Sequence, residues 1–421
     1  MITNTRLFLV PRLMSCLPVL LALLSASFAS SPIRAETVET LVTKAVGENP
    51  EIRFYEAEIE AAKAGKSAAL TPAEPSLELS GGAKNIRHEG DGAVWRAQIS
   101  QTFEFSNRLA LRKALADRDI ELAGLGLDQA RAELSNEVRS RAGDLLLLKR
   151  QEAAAAEVRD RLRAMLEVLV QRDSGAVSAR LEQRIMEASV LVADRRVSEA
   201  AKETITVRTA LNMLCNRAPD APLDLEDTTT HFPAVPSMEK LKTQSLETNF
   251  MVRQRQAELR KQGLEVDLAH TEKWSEITVG PYVGGENAGT REVEGGIALS
   301  LPLPLWKRHR TSVAIAEARQ KQAEAVVQAT LRDLERDLAV ARASYATEKA
   351  SLEQWNDGTE QAFAEAAAEA DRHFRLGAVP SSIYIEMQRQ YVDAMQALTD
   401  ARRQAWKHRM ELERLTGSSL K

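Results

Sequence analysis

Cysteine is almost missing from this chain. Of 421 residues two are cysteine, Cys16 and Cys215, and Cys16 falls in an N-terminal leader, so no disulfide framework can hold the mature fold. Cys215 is read as a small packing residue. Aromatic residues are scarce at 5%, and there are 20 glycines and 14 prolines in 421 residues. So few turn formers, against abundant alanine, leucine, glutamate and arginine, favour long helices over many short elements. Charge of one sign is lacking too. Fifty-six basic residues face 60 acidic ones, for a net charge of -4, and both signs are interspersed, which excludes the footprint of nucleic-acid binding. The six histidines, His309 and His373 among them, are dispersed and form no pair at metal-ligand spacing. No catalytic site, metal centre or cofactor is expected.

Long apolar runs are absent beyond the leader. Arg6 and Arg12 precede an apolar stretch over 17–28 and then small residues, the pattern of a secretory signal over 1–35, cleaved after Ala29 or Ala35. Cys16 imitates a lipoprotein signal but precedes the main apolar run, and lipidation is not expected. After Ala35 nothing reaches the roughly 20 apolar residues of a membrane helix. An exported chain of this kind is either soluble in the periplasm or inserted as a β-barrel.

What the sequence does contain is a repeat of about two hundred residues. LVTKAVGENPEIRFYEAEIEAAKAGKSAAL at 41–70 parallels LKTQSLETNFMVRQRQAELRKQGLEVDL at 241–268, both helical in period. RDSGAVSARLEQRIMEAS lies opposite RLGAVPSSIYIEMQRQYV, which aligns Gly175 with Gly377. The boundaries expected are a first repeat over 36–220, an equatorial linker over 221–238 and a second repeat over 239–421.

Each repeat carries two stretches with a period of two, over 76–83 and 93–105 and over 276–285 and 292–301. Leu77 and Leu79 alternate with Glu78 and Ser80; Trp95, Ala97, Ile99 and Phe103 alternate with Arg96, Gln98, Ser100 and Thr102. Two readings fit: a half-buried sheet packed on a helix, or strands with an apolar face turned to lipid. Four strands cannot close a barrel, and lipid tolerates no open edges. Membrane strands therefore require several copies of the chain, and three copies would supply twelve strands, an even number as such barrels have.

Nothing breaks the helical pattern over about 107–171 or about 307–374, apart from Gly358 as a weak point. Each span is about 95 Å at 1.5 Å per residue. Val158, Leu162, Met165 and Leu169 recur at 3/4 spacing, and so do Met387, Tyr391, Ala394, Leu398, Ala401, Ala405, His408, Leu412 and Leu415, which reads as a coiled-coil seam. The helices over 41–70 and 180–214 sum to the length of the long helix between them, so two short helices end to end are expected to pair with each long one.

SLPLPLWKRHR at 300–310 with its alanine-rich helix, QISQTFEFSNRLALRKALAD, and HFRLGAVPSSIYIEMQRQYVDAMQAL together resemble the outer-membrane efflux protein (TolC) family. The proline pair before a basic helix start is closest to its heavy-metal resistance-nodulation-division branch, the CzcC and CusC-like proteins. The resemblance covers nearly all the mature chain. It implies a mainly α fold with membrane β: a long α-helical barrel continuing a trimeric, twelve-stranded outer-membrane β-barrel, built from two internal repeats. It also implies a homotrimer in outer-membrane lipid that spans into the periplasm, with a periplasmic adaptor and an inner-membrane pump as partners. The function implied is the exit duct of a tripartite efflux system for divalent heavy-metal cations. Pro302 and Pro304 would mark the barrel-to-helix crossing, with Lys307, Arg308 and Arg310 at the periplasmic level. Gly175, Ser178, Arg375, Leu376, Gly377 and Ser381 match the family's adaptor-docking helix tips. Where many members place two aspartates after the tip glycine, this chain has Ile383 and Glu386, which leaves Glu386 as the pore-constriction candidate. A multidrug or type I secretion duct, and a soluble periplasmic coiled-coil scaffold or adaptor, are the alternatives.

Overall fold

The computed structural model describes residues 35–86, 90–104, 107–171, 177–226, 232–271, 276–287, 290–303, 308–355 and 358–420. Residues 1–34 of the expected signal over 1–35, Gly175 and Pro304 lie outside them, as do Lys307 and the side chains of Ser178 and Arg308. In the first repeat α1 (Val38–Glu48) and α2 (Pro50–Leu70) precede β1 (Ser76–Ile86) and β2 (Gly90–Glu104), followed by α3 (Arg108–Gln171) and α4 (Val177–Leu214). The second repeats the order with α5 (Met238–Thr248), α6 (Phe250–Thr271), β3 (Glu276–Glu286), β4 (Glu292–Ser300), α7 (Arg308–Glu353), α8 (Thr359–Arg375) and α9 (Ser381–Thr416).

Two helices that the periodicity reads as unbroken are in fact divided at asparagine. Asn49 closes α1 with extended backbone and caps α2, its side chain accepting from the Glu51 N–H at 2.8 Å, and Pro50 at the first helical position needs no donor. Asn249 does the same between α5 and α6, accepting from the Val252 N–H at 3.1 Å. The third division corrects the expectation of one helix over 307–374. That helix stops at Glu353 and restarts at Thr359 with Gly358 as its N-cap. Gly358 offers no side-chain cap there, and glycine is poorly held in a helix interior. The matching part of α3 is continuous over 64 residues, about 96 Å.

α2 and α4 both pack along α3, while α6 and α9 pack along α7, and α3 also meets α6 and α9 across the repeats. Four apolar clusters follow among the described residues, the smallest of them Ala269, Val313 and Ala316 between α6 and α7. Leu41, Val138, Leu145 and Leu211 centre one, which also encloses Cys215. Leu241, Leu338, Tyr345 and Leu412 centre its counterpart. Val158, Leu162, Met165, Met186, Tyr384 and Met395 fill the far end. The linker is strapped between these clusters. Lys149 donates to Leu223 O, Tyr345 to Pro233 O at 2.9 Å and Arg342 to Pro236 O at 2.8 Å. Glu36 joins Leu225 in a parallel bridge.

The seam of α9 keeps Tyr391 and Leu398 of the expected one but near its start replaces Met387 by Gln388 and Ala394 by Met395. Tyr384, Gln388, Tyr391, Met395 and Leu398 are buried, and Met387 and Ala394 are not fully so. The spacing is the expected 4,3,4,3, but a glutamine occupies one of its positions. Its Nε2 donates to Ala367 O at 2.8 Å.

Candidate functional site

The four strands form one antiparallel sheet in the order β1-β2-β3-β4. Register puts Leu77 opposite Ile99, Leu79 opposite Ala97, Phe103 opposite Ile277, Ala97 opposite Val283 and Val279 opposite Leu299. Because neighbouring strands pair residue on residue and side chains alternate, these form one continuous apolar face. It covers nothing among the described residues. Leu79 is 70% exposed, Ile297 76% and Leu299 69%, which removes the reading of a half-buried sheet packed on a helix. The band from Ala93 to Phe103 is about 33 Å along the strand, or about 25 Å tall at the tilt of membrane strands.

The opposite face is polar. Lys84 pairs with Glu286 and Arg96 with Glu294, both at 2.7 Å, and the Arg96 guanidinium lies over the Tyr282 ring. Thr102 and Thr278 share a hydrogen bond across β2 and β3 at 3.0 Å. Gly280 allows the two central strands to close up, since a Cβ there would sit 2.0 Å from Ile99 O. One edge of β1 and one of β4 pair with no strand among the described residues.

At the other end α8 closes in a tight cap. Gly377 takes φ 72, its N–H donates to Phe374 O and the Ala378 N–H to His373 O, the two bonds of a Schellman motif. Pro380 then caps α9 with extended backbone, and Ser381 is buried as its first residue. Phe374 stacks on Tyr384 with centroids 4.8 Å apart. The Tyr384 hydroxyl donates to Asp371, which also accepts from Arg375. Burial beside the Asp371 carboxylate pushes the Tyr384 phenol well above its ordinary range, so it stays a neutral donor. Arg375 is thus engaged within the tip, while Leu376 projects from it, 75% exposed.

Glu386 lies two turns above the tip on the exposed side of α9. It accepts from Gln390 at 2.7 Å and faces Arg389 at 3.8 Å. With Arg389, Arg196 and Ile385 it lines a groove of about 360 Å³ floored by Val158 and Leu162 and walled by Ile185 and Val192. Arg196 crosses from α4 to Asp393 of α9 at 2.7 Å. Ile383, the other position at which a carboxylate is usual in the family, is an exposed apolar residue. Sequence reasoning missed the Arg389 and Gln390 partners, although both stand at helical i+3 and i+4 spacing from Glu386. Pro302 follows β4, exposed and outside any strand.

Comparison with known proteins adds an independent line. Residues 244–418 match the family model of the outer membrane efflux protein. None of the curated proteins matches the sequence. Among solved structures, a membrane protein from Pseudomonas aeruginosa superposes with a TM-score of 0.73 at 18% identity, over 91% of this chain and 90% of that one. CusC gives 0.70 at 15% over 92% and 93%. The open state of the Neisseria gonorrhoeae MtrE outer membrane channel gives 0.70 at 16% over 91% and 89%.

Proposed function

We infer that this chain, whose residues 244–418 match the outer membrane efflux protein family model and which has the fold of outer-membrane channels throughout, is one third of an exit duct. The single observation that carries the inference is the sheet: four strands, apolar on one face and polar on the other, with both edges unpaired among the described residues. Lipid accepts an apolar face but not unpaired backbone groups. Closure therefore falls to other copies, β1 of one meeting β4 of the next, and three copies give a barrel of even strand number. The helical layer supports the same reading. α4 and α8 are its outer helices, flanking α3 and α9, and α4 exposes Leu181, Ile185 and Leu191 on a surface that a second copy would cover.

The work of such a molecule is conduction, with energy supplied by an inner-membrane pump through a periplasmic adaptor. The tips at Arg375, Leu376, Gly377 and Ser381, and their first-repeat counterparts Gly175 and Ser178, are the proposed docking point. Gly377 holds the turn tight, and the exposed Leu376 offers an apolar contact. Three symmetry copies of Glu386 would ring the periplasmic mouth, their charge moderated by Arg389 alongside. The cargo implied by the resemblance is a divalent heavy-metal cation, with drugs as the alternative. Reconstitution into planar bilayers tests the duct: stepwise conductance is expected, and a protein that adds none is not a duct. Restoring resistance in a host lacking its own exit duct, against zinc, copper and a hydrophobic drug in turn, decides between the cargoes.

A further inference from the structure

The stretch that first marks the second repeat, a strand ending in prolines and handed to cations, has a counterpart in the first. β2 ends at Glu104 and α3 begins at Arg108; β4 ends at Ser300 and α7 begins at Arg308. β2 and β4 flank β3, so the two crossings lie about 10 Å apart at the usual strand spacing. At both, exposed apolar residues flank the last strand residue: Phe103 and Leu109 at the first, Leu301 and Leu303 at the second, with Leu303 61% and Leu109 52% exposed.

Immediately below come cations: Arg108, Arg112 and Lys113 on α3, and Arg310 on α7. Neither helix has an acidic residue in its first turn, where acidic residues would normally offset the positive end of the helix dipole. Arg112 is paired with Glu104 at 2.6 Å, and Asp117, which pairs with Lys66, lies one turn beyond Lys113. Lys113 and Arg310 are exposed and make no ion pair among the described residues. Lys113 stands four residues after Leu109, on the same helix face, so an exposed apolar residue and an exposed cation lie one above the other.

We propose that this belt binds the headgroups of anionic phospholipids in the inner leaflet of the outer membrane, with Lys113 and Arg310 as its exposed anchors. Basic residues directly beyond a membrane-spanning segment attract anionic lipid. Here the apolar shelf of Phe103, Leu109, Leu301 and Leu303 would take the acyl chains of the lipid whose phosphate the cations hold. The proposal rests on the barrel reading.

The test uses the full mature protein inserted into vesicles of phosphatidylcholine and phosphatidylglycerol in equal parts, then extracted and analysed for retained lipid. Wild type is expected to retain phosphatidylglycerol at least threefold over phosphatidylcholine. The double variant Lys113→Gln, Arg310→Gln should lose most of that enrichment at equal insertion, and Lys113→Arg, Arg310→Lys should keep it. Equal retention of the two lipids by wild type overturns the proposal, as does unchanged enrichment in the glutamine variant. Inorganic phosphate displacing the retained lipid at millimolar concentration would make this a plain anion site and overturn it too. Failure of the wild type to insert in either lipid removes the barrel reading and the belt with it, whereas insertion without preference removes the belt alone.

Discussion

Asn49 and Asn249 do the same work 200 residues apart. Each caps the helix that follows, and each sends its amide to the C-terminal end of another helix, to Leu214 O at 3.1 Å and Leu415 O at 2.9 Å. Those helices close on left-handed residues, Asn216 and Gly417, so the duplication reaches single caps. Asn249→Ala is expected to weaken the α5–α6 junction by about 1–2 kcal/mol, the usual worth of a cap, seen as faster hydrogen exchange over 249–253. Unchanged exchange would deny the asparagine its role. Glu39 accepts from Nε and Nη2 of Arg139 at 3.0 and 2.9 Å, and these bonds hold its carboxyl below the ordinary carboxylate range. A depressed carboxylate stabilises the fold above its unfolded value of about 4.3 and loses that contribution as pH falls through the lower folded value. α1 should therefore loosen from α3 below about pH 4, and Glu39→Gln should remove the pH dependence of exchange in α1. At the tip, Gly377→Asp adopts the left-handed conformation at a cost of about 1 kcal/mol and meets open space. Intact oligomers without resistance are expected; retained resistance would count against docking there.

Among the elements, the strands were the most legible in the sequence, because a period of two survives any tertiary context. The first two strands run further than the expected 76–83 and 93–105 at their shared end, since pairing continues to Ile86 and Gly90. The helices were legible as helical but not in their divisions. Asn49-Pro50 carried a visible signal, whereas Asn249-Phe250 carried none beyond the asparagine. The α9 seam departs from the expected one where Gln388, polar yet fully buried, takes the place of Met387, its Nε2 donating to a carbonyl that only the packing of α8 supplies. The tip turn could be read from Gly377 and Pro380 alone, but the Phe374–Tyr384 stack behind it joins two helices and has no local signature. Two predictions belong here. Ile297→Lys on the apolar face should cost about 2–4 kcal/mol and reduce the protein recovered in the outer membrane, while Thr278→Lys on the polar face should be recovered like wild type. Equal recovery of both would remove the lipid-facing assignment. The break at Gly358 should exchange amide hydrogen faster than the continuous α3 opposite, since helix ends fray first.

At the scale of the molecule, one chain is an unfinished object. Among the described residues, a sheet with a bare apolar face and two unpaired edges, and a helical layer whose outer helix exposes leucine and isoleucine, are costly in isolation and consistent with each other only in a closed ring. The repeat organisation and the need for several copies could be read from the sequence. Which strands stand at the edges could not, because strand order depends on β2 meeting β3 across the whole of the first repeat. The most direct measurement is the mass of the detergent-extracted protein from the outer-membrane fraction, by light scattering with the detergent contribution subtracted. Three chains per particle are expected, closing the barrel; a stable single chain would leave the edges open in lipid and contradict the duct.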